Sequence, residues 1–126
     1  MVGKIDKQEV SYSVYESVLI DALEMGSEYW VMVDIDGLKF PDEYNDYTLT
    51  EKIARAIWYQ KTTLPIYNKF DDDLLGKINL KSVKNAFEEL AKSHIESYKR
   101  ILNQSFTEQD SDLFLQLATM GFVRYK

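Results

Sequence analysis

The sequence predicts an α+β fold: a small, mostly antiparallel sheet packed with about four helices in a single compact domain over residues 1–126. Three observations carry that expectation. Stretches with apolar residues at helical spacing alternate with short apolar runs of strand length. Each of the four helical stretches opens on a hydroxyl or amide residue suited to capping: Ser13, Thr48, Asn79 and Thr107. The first and last of them close on Met-Gly and pass at once into an apolar run, at Met25-Gly26 and Met120-Gly121.

In chain order, Ser13 with Glu16 reads as a capping box, and Tyr15, Val18, Leu19, Ala22 and Leu23 then share one face. Gly26 is expected to end this helix in the left-handed conformation. Residues 29–33 (Tyr-Trp-Val-Met-Val) are apolar on both faces. They predict a strand that is either covered on both sides or placed at a subunit contact, which leaves a homodimer open. Residues 34–47 form a long acidic loop broken by Gly37 and Pro41. Thr48 with Glu51 opens a second helix carrying Leu49, Ile53, Ala56 and Ile57 on one face. Residues 62–67 read as a strand, which Pro65 assigns to a sheet edge, and residues 74–78 as its hairpin partner. Asn79 caps the longest helix, expected to reach Asn103 along the stripe Leu80, Val83, Phe87, Leu90, His94, Tyr98 and Ile101. Thr107 with Asp110 opens a last helix that is apolar around much of its circumference and therefore expected to be buried. Gly121 ends it, and residues 122–125 are expected as a terminal strand.

Composition narrows the function classes. Nine Tyr, six Phe and two Trp predict an aromatic-rich core. The absence of Cys removes disulfides, thiolate metal sites and a Cys nucleophile. A net charge of −6 disfavours direct binding to nucleic acid, which draws its affinity from clustered Lys and Arg. No apolar run approaches the ~20 residues of a membrane span, and residues 1–7 lack a signal-peptide core. The expected compartment is the cytoplasm, with no membrane partner.

The motifs offer chemistry without completing it. The run from Val31 to Lys39 contains Asp34-Ile35-Asp36-Gly37 after an apolar strand, which resembles the first motif of haloacid-dehalogenase-type phosphatases. There the first Asp is a nucleophile, the second an acid/base, and both surround magnesium. The Thr that should follow is Leu38 here, so a magnesium-dependent phosphotransfer enzyme using Asp34 and Asp36 stands only as the third reading. The loop carboxylates lack the spacing of an EF-hand, so no metal or other cofactor is expected. His94, the single histidine, sits on an apolar stripe and reads as a core residue bonded to a backbone carbonyl. Tyrosines interleaved with acids in the loop make a plausible recognition surface, and one or two of them are equally suited to tucking back as anchors.

Two blocks carry a family likeness. Ala22-Leu23-Glu24-x-Gly26-x-x-Tyr29-Trp30 and Asp112-x-Phe114-x-Gln116-Leu117-Ala118-x-Met120-Gly121 resemble a widespread family of small tailed-bacteriophage proteins of unassigned function. The chain departs from that family at Met25 and Lys126, where glycines are usual, and at residues 61–63, which replace a Gly-Gly pair. The resemblance implies a phage or prophage origin, and hence the cytoplasm of an infected bacterial host. By analogy with small phage accessory proteins, the first reading is a non-enzymatic binding protein that antagonises a host factor, such as a nucleic-acid-binding CRISPR effector. Its contact would be Asp34, Asp36, Asp42, Glu43, Tyr44, Asp46 and Tyr47. The second reading is a protein that sequesters a small ligand or nucleotide signal, held near Glu24, Tyr29, Trp30 and Gln116.

Overall fold

A computed structural model of the protein describes residues 10–125; the reading of residues 1–7 and the departure at Lys126 lie outside them. Among the described residues, five α-helices and one three-stranded antiparallel sheet form an α+β fold. The order is α1 (Tyr12–Asp21), a π turn (Ala22–Gly26), β1 (Val31–Val33), a 3-10 turn (Asp42–Tyr44) and α2 (Leu49–Tyr59). Then come β2 (Leu64–Asn68), β3 (Leu74–Ile78), α3 (Leu80–Ser93), α4 (Ile95–Leu102) and α5 (Glu108–Met120).

The first helix is capped two residues earlier than expected. The Val14 N–H donates to Ser11 Oγ at 3.2 Å, so Ser11 is the cap and Ser13 lies inside the helix. The earlier start adds Tyr12, whose ring lies 5.0 Å from that of Tyr59 and 5.7 Å from that of Trp58 on α2. Gly26 also has another role than expected: its backbone is not left-handed. A Cβ there would stand 2.5 Å from the Glu108 carbonyl and closer still to Ser111 Oγ. The glycine is needed because the π turn presses against the first turns of α5, where no side chain fits.

Sheet order is β1-β2-β3, so β2 is the centre and Pro65 is not on an edge strand. Proline is tolerated because β1 is short. β1 pairs only with Ile66, Tyr67 and Asn68, and Pro65 lies past its end, opposite Lys77 of β3. The missing N–H therefore removes no bond to β1. β1 itself is half-buried at the edge, and Leu64 and Ile66 send the inner face of β2 into the core.

The longest expected helix is two helices. At His94 the backbone leaves helical geometry (φ −138°, ψ 57°), although its N–H still donates to Leu90 and its carbonyl accepts from Tyr98. The bend lets α3 and α4 both pack on α5, placing Phe87, Leu90, Tyr98 and Ile101 in the core. His94 is thus a half-buried hinge rather than a core histidine.

The fold is organised around α5, which touches α1, the π turn, β3, α3 and α4. Thr107 and Asp110 form its capping box, and Gly121 ends it at φ +84°. Phe114, Leu115, Gln116, Leu117 and Ala118 are all buried, as the apolar circumference of this helix predicts. Residues 122–125 do not join the sheet. The Arg124 and Tyr125 N–H groups each donate to Gln116 Oε1 at 2.8 Å, and Gln116 Nε2 donates to the Tyr125 carbonyl at 2.9 Å. One buried amide side chain thus supplies the partners that a neighbouring strand would otherwise provide. Among the described residues no helix is long and apolar enough to cross a membrane.

Candidate functional site

Loop residues 34–47 divide into an anchored base and an acidic rim. Tyr44 is only 7% exposed and packs edge-on to Tyr47 at 6.0 Å, so it anchors the loop and is not available as an outward contact. Burial pushes the Tyr44 phenol upward; Glu43 adds to the shift and Arg55 opposes it. Half-buried Tyr47 has its ring centre 4.0 Å from the Arg55 guanidinium carbon. Just after it, the Thr48–Glu51 capping box starts α2. These contacts hold a segment with little regular structure in one shape.

The rim is Asp34, Asp36, Asp42, Glu43 and Asp46, all exposed. None of them forms an ion pair among the described residues. Asp34 turns one carboxylate oxygen back to accept the Asp36 N–H at 3.0 Å, the bond of an Asx turn. Among the described residues no His, Cys, Asp or Glu cluster is arranged to hold a metal ion.

The second candidate set is brought together, except for Glu24, by a residue outside it. Asp112 accepts four side-chain hydrogen bonds. Ser27 Oγ and Trp30 Nε1 donate to Oδ1, each at 2.7 Å. Tyr29 Oη at 2.7 Å and Gln116 Nε2 at 2.9 Å donate to Oδ2. Trp30 also stacks on Tyr125 with ring centres 5.1 Å apart. Burial, then the hydrogen bond to Asp112 and its charge, push the Tyr29 phenol well above its ordinary value. Glu24 points elsewhere: it is exposed and accepts from Thr50 Oγ1 at 2.6 Å on the first turn of α2. A shallow depression of about 240 Å³ lies alongside, lined by Gln109, Asp112, Leu113, Gln116, Val123 and Tyr125. The donors that a ligand would need are already used to tie the β1 approach and the C-terminal segment to α5. In the sequence the signal was an acid one helical turn before Gln116 in an otherwise apolar helix, a spacing that lets the two side chains meet.

A second carboxylate fastens the other end of α5. Asp110 accepts from Arg100 Nε at 2.7 Å and Nη2 at 2.9 Å, from Ser97 Oγ at 2.7 Å and from the Thr107 N–H at 3.0 Å. Burial alone would raise its carboxyl. The hydrogen bonds from Arg100, Thr107 and Ser97, with the Arg100 charge, outweigh burial and hold it well below the usual carboxylate range.

A scan against protein-family models finds no match to this chain, and searches of curated proteins and of solved structures likewise return none.

Proposed function

We propose that the protein is a non-enzymatic binding protein of phage origin that antagonises a host factor through the acidic loop. The observation that carries this reading is the division of the loop: Tyr44 and Tyr47 fix its base, while five carboxylates stand at the rim without cationic partners among the described residues. A rim of that kind suits a basic surface, and a pre-shaped loop loses little conformational freedom on docking. Basic grooves are what nucleic-acid-handling effectors present, so a CRISPR effector is the proposed class of target. Tyr47 and exposed Ile35 supply apolar contact beside the acids, whereas Tyr44 serves the loop from within.

The test joins a functional assay to a loop variant. In bacteria carrying a targeting CRISPR system, the wild-type chain should restore plaque formation by the targeted phage. Replacing Asp34, Asp36, Asp42 and Asp46 by Asn and Glu43 by Gln should remove that protection. Thermal stability should stay within about 1 kcal/mol, since exposed side chains rarely matter more. Equal plaque counts with and without the wild-type chain reject the defence reading; full protection by the five-residue variant rejects the loop as the contact.

A further inference from the structure

Arg55 has no ion-pair partner among the described residues, although the chain carries a net charge of −6. It lies in the middle of α2 with its guanidinium carbon 4.0 Å from the Tyr47 ring centre and 5.4 Å from that of Tyr12. Its Nε is buried with no acceptor. Its other two guanidinium nitrogens are not among the atoms buried without a partner, and Arg55 as a whole is half-buried. Among the described residues Glu16 and Glu43 lie near the flanking tyrosines, and neither forms an ion pair with Arg55. Glu16 accepts the Tyr12 phenol at 2.8 Å, and Glu43 lies beside Tyr44. The Tyr12 and Tyr44 phenols both sense the Arg55 charge, and exposed Tyr59 packs 5.0 Å from Tyr12.

A guanidinium in this setting has one kind of partner left. The aromatic rings limit its faces and hold its orientation, which removes much of the disorder that makes an exposed arginine a weak binder. Partial desolvation strengthens what the free N–H groups can do. Those groups are donors only, arranged as a planar fork that matches two oxygens of a single anionic group. We infer that Arg55, walled by Tyr12 and Tyr47, is an oxyanion-binding site for a carboxylate or phosphate group at the foot of the acidic loop. The site does not depend on the host-antagonist reading. Lys39 in the loop and Lys52 beside Phe40 are also cationic, but neither presents the planar fork of a guanidinium.

The test is a titration of the full chain followed by ¹H–¹⁵N NMR, with sodium phosphate in one arm and sodium acetate in the other. Sodium chloride at equal ionic strength is the reference. The Arg55 Nε–H signal and the indole N–H of neighbouring Trp58, which packs against Tyr12 and Tyr15, report the site. The expected result is a saturable shift of both signals at millimolar phosphate or acetate that chloride does not reproduce. Preference for phosphate assigns a phosphoryl group as ligand, and preference for acetate assigns a carboxylate. Arg55→Gln should abolish the Trp58 response. Arg55→Lys, which keeps the charge and is the gentler change, should weaken binding by about tenfold because the fork is lost. Shifts no larger than those in chloride, or a Trp58 response that survives in Arg55→Gln, would overturn the assignment.

Discussion

Replacing Asp112 by Ala would remove the acceptor on which four donors converge, and the cost can be worked donor by donor. Ser27 is fully buried and Trp30 is 1% exposed, so Ser27 Oγ and Trp30 Nε1 lose their partner where water has little access. Each buried donor left unpaired costs about 1–3 kcal/mol. Gln116 Nε2 keeps the Tyr125 carbonyl, and Tyr29, 45% exposed, can turn its hydroxyl to solvent. These two add little. The shallow depression next to Asp112 admits water to part of the vacated space, which favours the lower half of the range. The expected loss is therefore about 2–4 kcal/mol, a large share of the roughly 5–15 kcal/mol that holds a small domain together. At about 3–5 °C per kcal/mol for a chain of this size, the melting temperature should fall by about 10 °C. Urea unfolding followed by far-UV circular dichroism and tryptophan fluorescence reads the change directly. Combining Asp112→Ala with Trp30→Phe should cost at least about 1 kcal/mol less than the two single changes summed, because the second removes a donor the first has orphaned. An Asp112→Ala stability within about 0.5 kcal/mol of wild type would refute the argument, since it would mean the four donors are satisfied without the carboxylate.

The remaining predictions concern backbone clearance and acid stability. Gly26→Ala should destabilise by about 1–3 kcal/mol, because its Cβ would collide with the first turns of α5, while Gly37→Ala, with open space around it, should stay within about 0.5 kcal/mol. Thermal unfolding of the pair separates steric clearance from a general cost of losing glycine. Asp110 has a native carboxyl pKa below that of the unfolded chain, so its contribution to stability is present above about pH 3.9 and is lost as pH falls from there through the native value. Between about pH 5 and pH 2 the wild type should therefore lose stability faster than Asp110→Asn, and parallel urea midpoints across that window would contradict the assignment.

Much of the architecture was legible locally. The capping boxes at Thr48 and Thr107 and the cap at Asn79 are bonds between residues three apart, so their sequence signature is also their mechanism. Gly121 likewise ends α5 for a purely local reason, its positive φ. Gly26 looked like the same device and is not. What makes it necessary is Glu108 and Ser111, more than eighty residues away, and no local pattern announces such a neighbour. Pro65 misled in the same manner, because the rule that places proline at an edge assumes a full-length neighbouring strand, and β1 is too short to reach it. The break at His94 was hidden because the apolar stripe continues through it on both sides.

The candidate sites divide along the same line. The acids at positions 34, 36, 42, 43 and 46 were readable as an exposed rim, since a run of carboxylates interrupted by Gly and Pro has no reason to be buried. That Tyr44 turns inward as anchor while Tyr47 lies on Arg55 was decided by how the loop folds back on α2. Tyr29, Trp30 and Gln116 were individually conspicuous, but Asp112, the residue that unites them, is an ordinary exposed-looking acid until α5 is set against the π turn. By itself, then, the sequence determined the fold class, most of the helix starts and an acidic loop, because periodicity and capping act over a few residues. Only the tertiary structure decided which glycine is steric, which strand is central and which carboxylate gathers the donors, because those depend on backbone and side chains brought together from segments distant in the chain.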